Sequence, residues 1–178
     1  SFDPSQCPDG FELGLGGEAE YKADVANYPN GCHISEVEVD PETGKVSVVK
    51  YTVVDDVGVV INPLLLDGQI HGGVAQGLGQ ILFEDIAYDP ASGQILSGSF
   101  MDYAMPRGND LPAIYVGANC VPTSTNPLGI KGAGEAGTIG AMPCVMNAAL
   151  DALSSLGIKH LDMPLTPNRV WRAIRAVS

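Results

Sequence analysis

The alternation of apolar and polar positions in the first third of the chain predicts a β-hairpin. Residues 32–39 alternate with a period of two, and residues 45–54 are rich in β-branched side chains. Residues 40–44, Asp-Pro-Glu-Thr-Gly, supply a turn between them. Because this pattern is typical of paired strands, the two runs are predicted to pair with each other. Upstream, residues 11–21 are predicted to form a glycine-containing strand and residues 28–31 a turn.

An apolar stripe with helical spacing follows the hairpin. It predicts a helix from Asn62 to about Glu84, with Asn62 as N-cap and Pro63 in the first turn. The stripe consists of Leu66, Ile70, Val74, Leu78 and Leu82. The same segment holds five glycines, each of which weakens a helix by about 0.5–1 kcal/mol relative to alanine. Such a helix is expected only where something lies against its bare backbone.

The second half of the chain continues the mixture of elements. Residues 85–89 and 94–100 predict another hairpin around the turn at 90–93, and residues 112–120 a further strand. Helices are predicted from about Pro143 to Leu156 and from Thr166-Pro167 to Arg175. Hairpins interleaved with helices indicate an α+β fold class, in which a mixed sheet and β-hairpins pack against helices.

The net charge of the chain disfavours some classes of binding partner. The chain has 9 Lys and Arg against 21 Asp and Glu, a net charge of −12, which disfavours nucleic acid and anionic membranes. No apolar run is long enough to span a membrane. Cys7, Cys32, Cys120 and Cys144 have no zinc or iron–sulfur spacing, so they are predicted to be buried, reduced thiols of a cytosolic protein.

Residues 132–137 fit the dinucleotide pattern G-x-G-x-x-G but do not support it. The preceding residues 125–130 do not resemble a strand, and Glu135 would place a carboxylate where a pyrophosphate belongs. Two interpretations of Glu135 remain open: a carboxylate that favours a helix dipole, or an accessible general base between small neighbours. Gln69 and Gln76 share a helix face and are either solvated or suited to a heterocycle with mixed donors and acceptors.

Several segments in one order resemble a known family. The resemblance covers roughly residues 20–175 and is to the C-terminal portion of the molybdenum-binding subunit of the xanthine dehydrogenase and aldehyde oxidase family. The nearer branch is that of the carbon monoxide dehydrogenase-like large subunits. The segments are Asn62-Pro63, Gly68–Gln80, Asp102–Pro106, Asn126–Thr138, Asp162–Pro167 and Val170–Ile174.

The resemblance implies a hydroxylase that binds molybdopterin with molybdenum, in the cytosine dinucleotide form. A molybdenum-bound hydroxide would attack a carbon of an aldehyde or N-heterocycle, with carbon monoxide as the least favoured substrate, and hydride would pass to a sulfido ligand. Electrons would leave through [2Fe–2S] clusters and FAD on other domains or subunits. Glu135 would be the general base and Gln69 would contact the pterin. The remaining cofactor-binding residues would be Gly72, Gly73, Lys131, Gly132, Ala133 and Gly134.

The family's subunit is several times longer, so residues 1–178 are expected to be its C-terminal molybdenum-cofactor-binding domain and inactive alone. The expected partners are the remainder of that subunit, iron–sulfur and flavin subunits, and a small-molecule substrate. When isolated, the chain is expected to form homo-oligomers. The alternative is a non-catalytic α+β assembly module of a multisubunit oxidoreductase. The intact segment around Glu135 favours the enzyme, because a structural descendant has no reason to hold a carboxylate between glycines.

Overall fold

A computed structural model of the chain describes residues 16–177, and it confirms the predicted α+β fold class. Three strands and three helices are present in this part of the chain. In order they are β1 (Asn30–Val39), β2 (Val46–Asp56), α1 (Pro63–Leu82), β3 (Ile114–Ala118), α2 (Ala136–Ser154) and α3 (Pro167–Val177).

The strands form one mixed sheet with the order β1-β2-β3. β1 and β2 pair antiparallel as the predicted hairpin, with a register shift between Glu36 and Val37. Asp40 fixes the turn, since its carboxylate accepts from the backbone N–H of Glu42 (2.9 Å) and the hydroxyl of Thr43 (2.6 Å). β3, inside the predicted strand at 112–120, pairs parallel with β2 and makes the sheet mixed.

α1 begins and packs as its sequence predicts. The Asn62 side chain accepts from the backbone N–H of Leu65 at 3.2 Å, and Pro63 occupies the first turn. Four of the five stripe residues are buried, and Leu66 is partly buried against them. α1 and α2 pack along each other, and α2 also packs on β1. The core therefore lies between the two long helices and the sheet.

α2 begins at Ala136, whereas the sequence analysis placed its start at about Pro143. Proline is typical of a first helical turn, but Pro143 lies inside the helix. Its ring removes the N–H that would bond to the carbonyl of Ile139, a local cost that packing against α1 and β1 offsets. The consequence matters for the site, because Glu135 becomes the residue that immediately precedes α2.

Other local predictions are corrected by the structure. Residues 16–21 form no strand, and residues 11–15 lie outside the described part of the chain. Asn30 and Gly31 belong to β1 rather than to a turn. The hairpin predicted at residues 85–100 is reduced to a single bridge between Tyr88 and Ile95 around its turn. This segment is not part of the three-stranded sheet, and a two-stranded ribbon alone is only marginally stable.

The thiols are less buried than predicted. Cys32 and Cys120 are exposed and Cys144 is half-buried, so burial was wrong for the first two, and Cys7 lies outside the described residues. Within residues 16–177, all three are free thiols. No helix in the described part of the chain is long and apolar enough to cross a membrane.

Candidate functional site

The contact between α1 and α2 depends on glycines that let the two backbones touch. A Cβ on Gly73 would lie 2.9 Å from the backbone nitrogen of Thr138, and one on Gly137 would lie 2.6 Å from the carbonyl oxygen of Ile70. The Thr138 hydroxyl donates to the carbonyl of Gly73 at 3.1 Å. Gly73 and Gly137 are thus required for the same reason, since only residues without side chains permit this approach.

This close packing brings Gln69 next to the segment that carries Glu135. A Cβ built on Gly134 would lie 3.8 Å from Oε1 of Gln69, so the amide reaches the loop that leads into α2. Gln76, two turns further along α1, accepts from the Thr138 hydroxyl at 3.2 Å. Gln76 is therefore tied to α2 in the structure, whereas the Gln69 amide faces the loop.

The loop before α2 is held in place by the end of β2. Ile130 forms a bridge with Gly58, and the Lys131 N–H donates to the carbonyl of Val57 at 2.9 Å. Asn126 closes the loop from inside, because its side chain donates to the Ile130 carbonyl (2.8 Å) and accepts from the Ile130 N–H (3.1 Å). Gly58 has φ of +67°, and a Cβ there would lie 2.2 Å from a backbone oxygen of the loop.

The Lys131 side chain forms an ion pair with Asp56. Its Nζ donates to Oδ2 of Asp56 at 2.5 Å, and both side chains are largely shielded from solvent. This bond lowers the pKa of Asp56 below its usual value, and the N–H groups of Val121 and Gly58 lower it further. Lys131 therefore lines the site through its backbone and stem, and its charge is balanced by Asp56.

Glu135 directly follows this loop and precedes the first residue of α2. It is exposed, and its side chain makes no capping hydrogen bond to α2. Its backbone carbonyl accepts from the N–H of Ile139 at 3.0 Å. The carboxylate lies at the positive end of α2 and is free to accept a proton or a hydrogen bond from a ligand.

A cavity of about 290 Å³ adjoins Gln69, Lys131 and Ala133. The rest of its wall is mostly apolar and comes from residues 57–66 and Ile130. Gly68 and Gly72, on the exposed side of α1, and Gly132 have open space where a Cβ would project. The structure thus offers bare backbone, an amide and a cavity on one side, which fits a flat, hydrogen-bonding group such as a pterin.

The predicted site residues therefore fall into three groups. Gln69, Lys131, Ala133 and Gly134 are brought together, and Gly132, Glu135 and Gly72 lie beside open space. Gly73 differs from them because it is buried against α2, where its lack of a side chain serves helix packing. The sequence analysis missed Asp56 and Asn126, which anchor the loop, although an Asp two residues before a turn glycine was a visible signal.

Comparison with known proteins identifies the family. Residues 11–112 match the family described as "Molybdopterin cofactor-binding domain". The nicotine 6-hydroxylase large subunit of Paenarthrobacter nicotinovorans is 42% identical over 176 residues, which is 99% of this chain and 21% of that protein. The carbon monoxide dehydrogenase large chain of Hydrogenophaga pseudoflava is 34% identical over 170 residues, 96% of this chain and 21% of that protein.

A solved structure shows the same fold. The quinoline 2-oxidoreductase of Pseudomonas putida 86 superposes with a TM-score of 0.79 at 39% identity, covering 83% of this chain and 19% of that chain. The chain therefore belongs to the molybdopterin cofactor-binding domain family, within the molybdenum enzymes of the xanthine dehydrogenase and aldehyde oxidase type. The resemblance inferred from the motifs is confirmed.

The chain spans about a fifth of the length of the curated relatives it matches. The family match ends at residue 112, before the loop at 126–135, while the alignment to the nicotine 6-hydroxylase subunit covers nearly the whole chain. The similarity to this class of oxidoreductase therefore extends to the segment that holds Lys131 and Glu135.

Proposed function

We propose that this chain is the C-terminal molybdenum-cofactor-binding domain of a hydroxylase that oxidises an N-heterocycle or an aldehyde, with Glu135 as general base. Two relatives are named for nicotine and for quinoline, both N-heterocycles, which favours that substrate class. Oxidation of such a ring carbon with water as the oxygen source releases two electrons and two protons. When bound, the molybdenum cofactor would supply the two-electron oxidation.

The residues of this chain would hold the cofactor and move a proton. The Gln69 amide would meet the mixed donor and acceptor edge of the pterin, and the backbone at Gly72 and residues 131–134 would lie along it. The apolar wall of the adjoining cavity would exclude water from that contact. The Glu135 carboxylate would accept a proton at Oε and release it to solvent, since the side chain is exposed in this chain.

The observation that carries the proposal is the placement of Glu135. Glu135 directly precedes the first turn of α2, and its carboxylate makes no capping hydrogen bond. The loop next to it is anchored by other side chains, those of Asn126 and Lys131. A residue with a purely structural role at a helix start would be expected to cap it. The alternative of a non-catalytic assembly module does not explain the free carboxylate.

The remaining parts of the proposal concern the whole protein. The cofactor would be the cytosine dinucleotide form of molybdopterin, and the electrons would leave through [2Fe–2S] and FAD groups on other domains or subunits. Relatives are named as a large subunit and a large chain, which supports a multisubunit assembly containing the remainder of the molybdenum subunit. We place this assembly in the cytoplasm.

The test is the Glu135→Gln variant of the complete enzyme. Gln preserves the size of the side chain but accepts no proton, so turnover should fall by about 10²–10⁴-fold while molybdenum content stays near that of the wild type. Glu38→Gln, on the exposed face of β1, is the matched control and should leave both quantities unchanged. Steady-state rates and metal analysis of the purified variants measure the outcome. Turnover of Glu135→Gln within tenfold of the wild type would remove Glu135 from the mechanism.

A further inference from the structure

A second cavity, of about 220 Å³, lies between the start of β1, the end of β2 and the first turns of α2. We call it the Asp55 cavity. Its wall includes Tyr28, Asn30, His33, Asp55 and Ile139. None of these residues is among the cofactor-binding residues proposed above, although Ala136, next to Glu135, also lines the cavity.

Asp55 is buried in this wall with half of its hydrogen-bonding capacity unused. Only 3% of the residue is exposed, and Oδ1 is within 3.2 Å of Nε2 of His33. Oδ2 is buried and has no hydrogen-bond donor among the described residues. The adjacent Asp56, by contrast, accepts from Lys131, Asn30 and two backbone N–H groups. A buried carboxylate oxygen without a donor is costly, which indicates that a further group supplies one.

His33 and Tyr51 engage only one oxygen of Asp55. Burial of the Tyr51 phenol raises its pKa, so the phenol keeps its proton and can donate it. Its oxygen is 2.6 Å from Nδ1 of His33. When Tyr51 donates to Nδ1, the Nε2–H of His33 donates to Oδ1 of Asp55. This chain of hydrogen bonds ends at Oδ1 and leaves Oδ2 as an unused acceptor within the described part of the chain.

Two glycines make room for this buried pair. A Cβ on Gly31 would lie 1.9 Å from Oδ1 of Asp55, and a Cβ on Gly140 of α2 would lie 2.4 Å from the His33 ring. Any other residue at either position would displace Asp55 or His33. Glycines in both the hairpin and α2 therefore provide the space that His33 and Asp55 occupy.

The polar atoms around the cavity define the chemistry of a ligand. Asn30 uses one of its two amide N–H groups to donate to Asp56 at 3.2 Å, which leaves its other N–H as a donor and its carbonyl oxygen as an acceptor. Both nitrogens of His33 are engaged. Tyr28 adds an exposed aromatic ring, whose face attracts cations. The unused groups are thus two acceptors, one amide N–H and a ring face. The volume is below that of typical small-molecule pockets, so a single small group that donates N–H bonds and carries a positive charge suits the cavity.

We propose that the Asp55 cavity is a binding site for a protonated amino group, with Oδ2 of Asp55 as the principal acceptor. The amino group has two possible sources with the same chemistry: a free small amine, or a lysine or arginine side chain from another part of the complete protein. In either case the ligand donates an N–H to Oδ2 and places its positive charge beside the buried carboxylate.

The experiment is a calorimetric titration of the complete protein with methylammonium chloride, at fixed ionic strength. Tetramethylammonium chloride is the matched ligand, because it has the same charge but no N–H. Asp55→Asn keeps the shape of the side chain and removes its charge, and Asp151→Asn, an exposed position on α2, is the control variant. Melting temperatures of both variants establish that they fold. A crystal structure of the complete protein at high resolution locates the atoms next to Oδ2.

The free-amine source predicts saturable methylammonium binding at one site, no saturable tetramethylammonium binding, and at least tenfold weaker methylammonium binding by Asp55→Asn alone. The intramolecular source predicts no methylammonium binding, with a lysine or arginine nitrogen within about 3.2 Å of Oδ2 in the crystal structure. The ligand comparison in the wild type decides the first case even if Asp55→Asn does not fold. Methylammonium binding that Asp55→Asn leaves unchanged, or only water next to Oδ2 and no binding, would overturn the proposal.

Discussion

At Asp56, one carboxylate joins four separate parts of the chain. It accepts from the side chains of Asn30 and Lys131 and from the backbone N–H groups of Gly58 and Val121. The loop that leads to Glu135 is therefore tied to β1 and to the end of β2 through a single side chain. Loss of this carboxylate's charge should loosen the loop before it affects the core, which is built from other residues.

The lowered pKa of Asp56 predicts how the bond with Lys131 responds to acid. Because the folded-state pKa lies below the unfolded value of about 3.9, the stabilisation is complete above that value and is lost as pH falls towards the folded pKa. Lys131→Met removes the main cause of the shift. The melting temperature of this variant should therefore lie below that of the wild type at pH 7, and the difference should narrow below about pH 4.

Thermal unfolding of both proteins between pH 7 and pH 3 measures this difference. Lys159→Met removes an exposed lysine and should leave the melting temperature nearly unchanged at every pH. A difference between wild type and Lys131→Met that stays constant down to pH 3 would show that Asp56 does not titrate as proposed.

Adjacent glycines of α1 have different surroundings, which separates helix packing from cofactor contact. Gly73→Ala would place a Cβ 2.9 Å from a backbone atom of α2 and should destabilise the fold by about 1–3 kcal/mol. Gly72→Ala meets nothing within 4 Å and should stabilise the cofactor-free domain by up to about 1 kcal/mol. Urea unfolding of the cofactor-free variants measures both values. Equal effects at the two positions would contradict the packing role of Gly73.

Substitutions at Gly72 and Gly73 also test the cofactor site in the complete enzyme. If the pterin lies along the open side of α1, Gly72→Leu should lower molybdenum content while the stability of the cofactor-free protein is kept. Gly73→Leu should instead impair folding first, because its side chain would collide with α2. Normal molybdenum content in Gly72→Leu would place the cofactor elsewhere.

The elements differ in how far the sequence could predict them, for physical reasons. α1 was predictable because its cap, its first-turn proline and its stripe all agree. The start of α2 was not, because Pro143 resembles a helix start and only tertiary contacts keep it inside the helix. The proposed roles of Glu135 and Gln69 rest on the family resemblance, since spacing alone leaves Glu135 open between two interpretations. The His33–Asp55 pair depends on strand register and on Gly140 of α2, which local patterns do not contain.

On the scale of the whole molecule, apolar side chains remain exposed around the proposed cofactor site. Ile61, Leu64 and Leu65, at the start of α1, are 70%, 80% and 64% exposed. Relatives are about five times longer than this chain, so their remaining segments are available to cover such a surface. In the absence of those segments, a contiguous apolar area favours association between copies.

The 178-residue chain alone should therefore fold but self-associate, and it should bind no molybdenum. Its core is large enough for an independent domain, whereas a cofactor held between two parts of a subunit loses many contacts when one part is missing. Sedimentation velocity and metal analysis test both expectations. Leu64→Lys with Leu65→Lys should reduce association without lowering the melting temperature, while Leu156→Lys, after α2, should not reduce it. A monodisperse wild-type monomer with stoichiometric molybdenum would show that this chain is a self-sufficient cofactor domain, contrary to the proposed division of the site.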